Sequence, residues 1–123
     1  MADEFSYGTR FVCENGSFKH TIEHGTLRDT QATQGHNGGI VSVGSGAEED
    51  LTVGDVATPG WVVMRNLDAT NYVTYGPKSG GVMVEAIRLS PGESHTFKSA
   101  PSVTWRAIAD TASCRVLVKV WEL

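Results

Sequence analysis

PGWVVMRNLDATNYV, residues Pro59 to Val73, is the stretch on which the reading of the chain turns. Trp61, Val63 and Leu67 fall on one side of a pleated chain, and Val62, Met64 and Asn66 fall on the other. Apolar groups on both sides mark a strand covered on both faces, which places it inside a sheet and not at its rim. Asp68, Thr70 and Asn71 then bring side-chain oxygens that bond their own backbone in Asx- and ST-turns. Tyr72, Val73 and Tyr75 resume the strand pattern, so the stretch reads as strand, polar corner, strand.

The segments downstream repeat this grammar. Gly76 to Gly81 (GPKSGG) is a breaker cluster expected at a hairpin tip, and Val82, Val84 and Ala86 then alternate with Met83, Glu85 and Ile87 up to Leu89. In Ser90-Pro91-Gly92-Glu93, proline is preset for the second turn position and glycine is free to take positive φ at the third. His95 and Phe97 flank Thr96 in the next strand. Val103, Trp105, Ala107 and Ala109 share a face of another. After a turn at Asp110 to Ser113, Cys114, Val116, Val118 and Val120 alternate with Arg115, Leu117, Lys119 and Trp121 in the clearest strand of all.

Upstream the pattern is looser. Phe5, Tyr7 and Phe11 begin an alternation that predicts a first strand, Asn15-Gly16 signals a turn, and Phe18, His20, Ile22 and His24 share one face opposite Lys19, Thr21 and Glu23. DTQATQGHNGG, residues 29–39, is polar and almost free of large apolar groups, and reads as a loop or extended arm. Ile40, Val41 and Val43 form a short strand, GSGAEED a further acidic turn, and Leu51 and Val53 lead on toward Pro59. No helical periodicity with caps extends over three turns. About eight to ten short strands remain, the signature of an all-β antiparallel sandwich or jelly roll.

The totals agree with one domain built on one core. The chain has 123 residues, 40% hydrophobic and 20% charged, with 14 glycines spaced as tight turns require. A formal charge of −4 supplies no footprint for a phosphate backbone, so no nucleic acid is expected. The opening MADEFSYGTR has neither a basic nor an apolar leader region, and no apolar run approaches membrane-spanning length, so the expectation is a soluble protein made in a cytoplasm, without a membrane partner. Cys13 and Cys114 would bridge only if they meet in space; free thiols acting as small hydrophobes are the favoured reading.

Candidate chemistry yields little. His20 and His24 lie roughly 13 Å apart on an extended strand, too far to share one zinc without a bend. His36 and His95 lack ligand-spaced partners, and each reads as a solvated or core-edge imidazole. Glu48, Glu49 and Asp50 lack the regular oxygen spacing of a calcium loop, and Val43-Gly44-Ser45-Gly46 does not match a nucleophile elbow. Trp61, Trp105 and Trp121 offer an aromatic platform for a sugar only if they leave the core. The expectation is a non-enzymatic protein with no cofactor, no metal and no catalytic residue.

Residues 59–122 resemble a module of tailed-bacteriophage virion proteins. The likeness rests on Asn66-Leu67-Asp68-Ala69-Thr70-Asn71-Tyr72-Val73 with Gly76, on Leu89-Ser90-Pro91-Gly92-Glu93, and on Ala107-Ile108-Ala109-Asp110-Thr111-Ala112. The resemblance implies a small β-sandwich located in the virion, a capsid decoration or cement protein that binds the major capsid protein or other virion proteins as a homo-oligomer, with a trimer favoured. A tail, neck or baseplate component, including a carbohydrate-binding module, is the alternative, and a small cupin-like enzyme with a clustered metal triad stands further off. No family contact residue can be matched singly. The expected contacts with neighbouring subunits are Phe5 and Tyr7 of the N-terminal segment and Gln31, Gln34, His36 and Asn37 of the 29–39 arm.

Overall fold

The computed structural model describes residues 4–31, 36–51, 56 and 58–122, with the backbone alone at 36 and 37. The described residues form eleven strands and no helix, and every strand pair is antiparallel. Where the sequence reads as one domain, the chain divides into two compact units, Met1–Thr33 and Gln34–Leu123. The division follows from pairing: β1 (Phe5–Asn15) and β2 (Phe18–Asp29) pair with each other and with no other described strand.

The second unit is a two-sheet sandwich. One sheet has the order β3 (His36–Val43), β11 (Cys114–Glu122), β5 (Pro59–Asn66), β9 (Ser94–Lys98). The other has the order β4 (Glu49–Asp50), β10 (Trp105–Ala109), β6 (Val73–Ser79), β7 (Val82–Met83), with β8 (Ile87–Leu89) also paired to β6. The chain changes sheet at most of its connections, so neighbours in sequence face each other across the core. That core takes Val43, Val62, Met64, Cys114, Val116, Val118 and Val120 from one sheet and Val73, Tyr75, Leu89, Ala107 and Ala109 from the other.

β5 lies inside its sheet between β11 and β9, as its sequence requires. Val62, Met64 and Asn66 are buried on its inner side, whereas Trp61 and Val63 on the outer side are half-buried and Arg65 is exposed. Coverage on both faces is therefore incomplete. Leu67 lies past the end of β5 and is 42% exposed, because the chain has already begun its corner.

Three side-chain hydrogen bonds join the sheets through the apolar interior. Asn66, fully buried, donates from Nδ2 to the Leu89 carbonyl of the opposite sheet at 3.0 Å and to the Asn71 carbonyl at 2.9 Å, while its Oδ1 accepts the Asp68 N–H at 2.9 Å. The Tyr75 hydroxyl of β6 is bonded to Nδ1 of His95 on β9. Trp105 on β10 donates its Nε1–H at 2.7 Å to Oγ of Ser99, just beyond β9. No described buried side-chain polar atom lacks a partner, the condition under which polar groups inside a core fix one arrangement of the sheets.

The corners follow the sequence closely. Oδ2 of Asp68 accepts the N–H groups of Thr70 at 3.0 Å and Asn71 at 2.6 Å, the Asx geometry that the polar stretch predicts. Gly92 takes a φ of 81°, and the Glu93 N–H closes the turn on the Ser90 carbonyl at 3.0 Å, as Ser-Pro-Gly-Glu predicts.

Three expectations change. Residues 36–39 of the expected arm are the first half of β3, with His36 opposite Trp121 and Asn37 opposite Val120, because the regular edge of β11 supplies the backbone partners that their side chains do not. The hairpin tip after β6 is confined to Gly80-Gly81, and Pro77 to Ser79 stay in the strand. The run 82–89 breaks at Val84 to Ala86, where one extra residue bulges against β6: the Val84 N–H bonds the Pro77 carbonyl and the Ala86 N–H the Tyr75 carbonyl.

That bulge brings the Val84 carbonyl onto Gly76, where a Cβ would lie 1.8 Å from the oxygen. Gly76→Ala should therefore force two backbones apart and lose about 3 kcal/mol or more in urea denaturation. Asn66→Leu, which strands two carbonyls and one N–H in the core, should lose about 2–4 kcal/mol by the same measurement. A loss under about 0.5 kcal/mol for either variant would contradict the close approach or the buried bonds.

Candidate protein-interaction surface

The hairpin of β1 and β2 is built by strict alternation. Its register sets Thr9 opposite His24, Phe11 opposite Ile22, Cys13 opposite His20 and Asn15 opposite Phe18, so these eight residues share one face. Arg10, Val12 and Glu14 pair with Glu23, Thr21 and Lys19 on the other face, where Arg10 and Glu23 form an exposed ion pair at 3.6 Å. Between Tyr7 and Thr9 the register shifts by one residue on β2, a bulge that keeps Leu27, opposite Tyr7, on the apolar side. The tip is the two-residue turn Gly16-Ser17, with Gly16 at φ 59°, one position later than Asn15-Gly16 suggests.

No described residue of this unit is buried. Phe11 is 63% exposed, Phe18 59%, Ile22 54% and Leu27 45%. The rings of Phe18 and His20 lie beside each other, with centroids 4.5 Å apart. A two-stranded ribbon is marginal in water, and a face carrying this many exposed apolar side chains is a candidate association surface.

The expected contact residues distribute unevenly. Phe5 and Tyr7 lie on β1, half-buried. Gln31 follows β2, and its N–H donates to Glu4 Oε2 at 3.1 Å. Gln34 lies outside the described residues, and the backbones of His36 and Asn37 belong to β3, in the other unit. Phe5 and Tyr7 thus come together with Phe11, Phe18, Ile22 and Leu27, which sequence reasoning did not choose as contacts. Their signal was present as alternation on two strands joined by a turn. What was missing was that β1 and β2 pair with no other described strand.

The tryptophans do not form one platform. Trp105 is packed between the sheets against Phe97, ring centroids 4.9 Å apart, and bonded to Ser99, while Trp61 and Trp121 lie on the outer side of β5 and β11. Both cysteines are free; Cys114 is buried, Cys13 only half-buried. Burial, with Asp68 and Asp110 nearby, pushes the Cys114 thiol up. Among the described residues no three His, Cys, Asp or Glu side chains converge.

Two titratable clusters have structural partners. Arg106 of β10 donates from Nη1 to Glu48 Oε1 at 2.6 Å and from Nε to Asp50 Oδ1 at 2.5 Å, and also reaches the Gly81 carbonyl at 3.0 Å. Glu48 Oε1 accepts the Met83 N–H as well, at 2.8 Å. Hydrogen bonding to Arg106 holds both carboxyls below their ordinary range, and the N–H groups of Asn71 and Thr70 do the same for Asp68. Burial against the Tyr75 side lowers His95, and burial raises Tyr75.

An antiparallel sandwich joined to an amphipathic β-hairpin is the class of protein that these observations define. No protein-family model, curated protein or solved structure matches the chain.

All four lowered groups act in the same direction with pH. A depressed carboxyl stabilises the fold above its unfolded value and loses that contribution as pH falls through its folded value; a depressed imidazole likewise favours the neutral, folded form above its unfolded pKa. Melting temperature should be level between about pH 7 and 8, begin to fall below about 6.5 as His95 is forced to charge, and fall more steeply below about 4.5 as Glu48, Asp50 and Asp68 protonate. Thermal scans across pH 3–8 check this: His95→Gln should remove the first decline and Arg106→Met should weaken the second. Superimposable profiles for wild type and both variants would refute the assignment.

Proposed function

We propose that the chain is a non-enzymatic structural protein of a tailed-phage virion, a capsid decoration protein that binds and stabilises the head shell. The observation that carries the reading is the exposed apolar side chains on one face of the β1–β2 hairpin, Phe11, Phe18, Ile22 and Leu27, in a unit none of whose described residues is buried. Such a face is completed by other protein surface, and a small sandwich linked to a recognition hairpin suits attachment to an assembled lattice. The phage assignment itself is supported by the likeness of residues 59–122. The interior polar groups Asn66, Tyr75, His95, Ser99 and Trp105 are engaged in holding the sheets together, which fits a protein whose task is mechanical. Its partners in this reading are the major capsid protein and further copies of itself.

The test uses expanded capsids prepared without the protein. Added purified protein should bind in a fixed ratio to the shell subunit and raise the shell's disruption temperature. Shells that neither bind it nor gain heat resistance would remove the decoration role.

A further inference from the structure

From the layout of the hairpin face, we infer that two copies of this chain pair through it, face to face and antiparallel about a twofold axis. The pairing uses the same exposed face as the proposed function but needs no virion partner, and it concerns the hairpin alone. Read from the tip, this face of β1 and β2 runs Phe18 with Asn15, then His20 with Cys13, then Ile22 with Phe11, then His24 with Thr9, then Leu27 with Tyr7. Along β2 the apolar and polar positions Phe18, His20, Ile22, His24 and Leu27 alternate symmetrically about Ile22.

Turned end for end over a second copy, the face meets its own pattern. Phe11 and Ile22 lie on their counterparts at the axis, Phe18 lies on Leu27 of the other copy at both ends, and the His20 and His24 rows meet between them. An isologous interface demands this self-complementarity. Charge agrees with it. From Thr9 to His24 the face carries no Lys, Arg, Asp or Glu, so nothing repels a second copy, whereas the reverse face carries Arg10, Glu14, Lys19 and Glu23 and is suited to water.

The size of the face sets the strength. A hairpin with strands of 11 and 12 residues presents a face roughly 35 Å long and 10 Å wide. Two such faces in contact bury on the order of 700–1,000 Å², below the usual range for permanent complexes and within that of reversible ones. Association of the free protein is accordingly expected at about 1–100 µM.

Sedimentation equilibrium of the full chain from about 1 to 500 µM should show a monomer–dimer exchange in the range expected for an interface of this size. Ile22→Lys, at the axis, should raise Kd at least tenfold, while Thr21→Lys on the reverse face should leave it within a factor of about two. Retention of the sandwich in Ile22→Lys is read from near-UV circular dichroism of its tryptophans. A chain monomeric throughout this range, or equal weakening by both variants, would overturn the pairing.

Orientation is read by disulfide trapping in a Cys13→Ser background. Phe18→Cys mixed with Leu27→Cys should cross-link under mild oxidation, and neither variant should do so alone. Efficient self-cross-linking of Phe18→Cys would overturn the antiparallel arrangement. Because shell binding is measured separately, loss of either result leaves the other standing.

Discussion

The buried amide of Asn66 is the constraint on which the sandwich depends. It sits on the inner side of β5 among Val62, Met64 and Val116, where an unsatisfied amide would cost as much as several good packing contacts contribute. It is satisfied only if the 67–71 corner returns Asn71 to it and β8 in the opposite sheet presents the Leu89 carbonyl. The Asn66 backbone also engages the 90–93 turn, its N–H donating to the Glu93 carbonyl and its carbonyl accepting from Gly92. One residue thereby fixes the end of a strand, two turns and the juxtaposition of two sheets. Tyr75 with His95 and Trp105 with Ser99 provide the same kind of cross-sheet link elsewhere in the core. Apolar contact alone would tolerate sliding between sheets; directed bonds in a low-dielectric interior do not.

The two units solve the burial problem in opposite ways. In the sandwich, the inner apolar rows of the two sheets face each other across the core, while Trp61, Val63, Ile40 and Trp121 lie on the outer side of their sheet. In the hairpin, an equally regular row is exposed on a two-stranded ribbon. Its regularity is not required by anything inside the unit, which is why the face is read as an association surface. The Arg10–Glu23 pair on the opposite side adds little stability by itself, being exposed and screened, but it keeps that side wet and so distinguishes the two faces of the ribbon.

Much of the fold was legible because it rests on local chemistry. The alternation at Cys114 to Trp121 names its buried and outward residues without ambiguity, and Asp68, Pro91 and Gly92 dictate their turns through bonds and dihedrals of neighbouring residues. Residues 36–39 were misjudged because side-chain polarity governs whether a segment makes a core, not whether its backbone can join a ladder; a regular neighbouring edge at β11 was enough. The break at 84–86 was hidden for a similar reason, since a one-residue bulge leaves no mark in an alternating sequence. Of the candidate contacts, Phe5 and Tyr7 were found from pattern, while Phe11, Phe18, Ile22 and Leu27 were visible as strand residues but not as exposed ones.

The sequence by itself determined the period of the strands, the positions and types of the principal corners, and the all-β class, because each depends on residues within a few positions of one another. Only the tertiary structure decided that Asn66 reaches Leu89, that Arg106 meets Glu48 and Asp50 more than fifty residues away, that Gly76 must admit a carbonyl, and that one amphipathic ribbon pairs with no other described strand. Burial is a property of what lies opposite, and what lies opposite is set by sheet order. A strand announces which of its sides is apolar; it cannot announce whether that side will find a partner within its own chain.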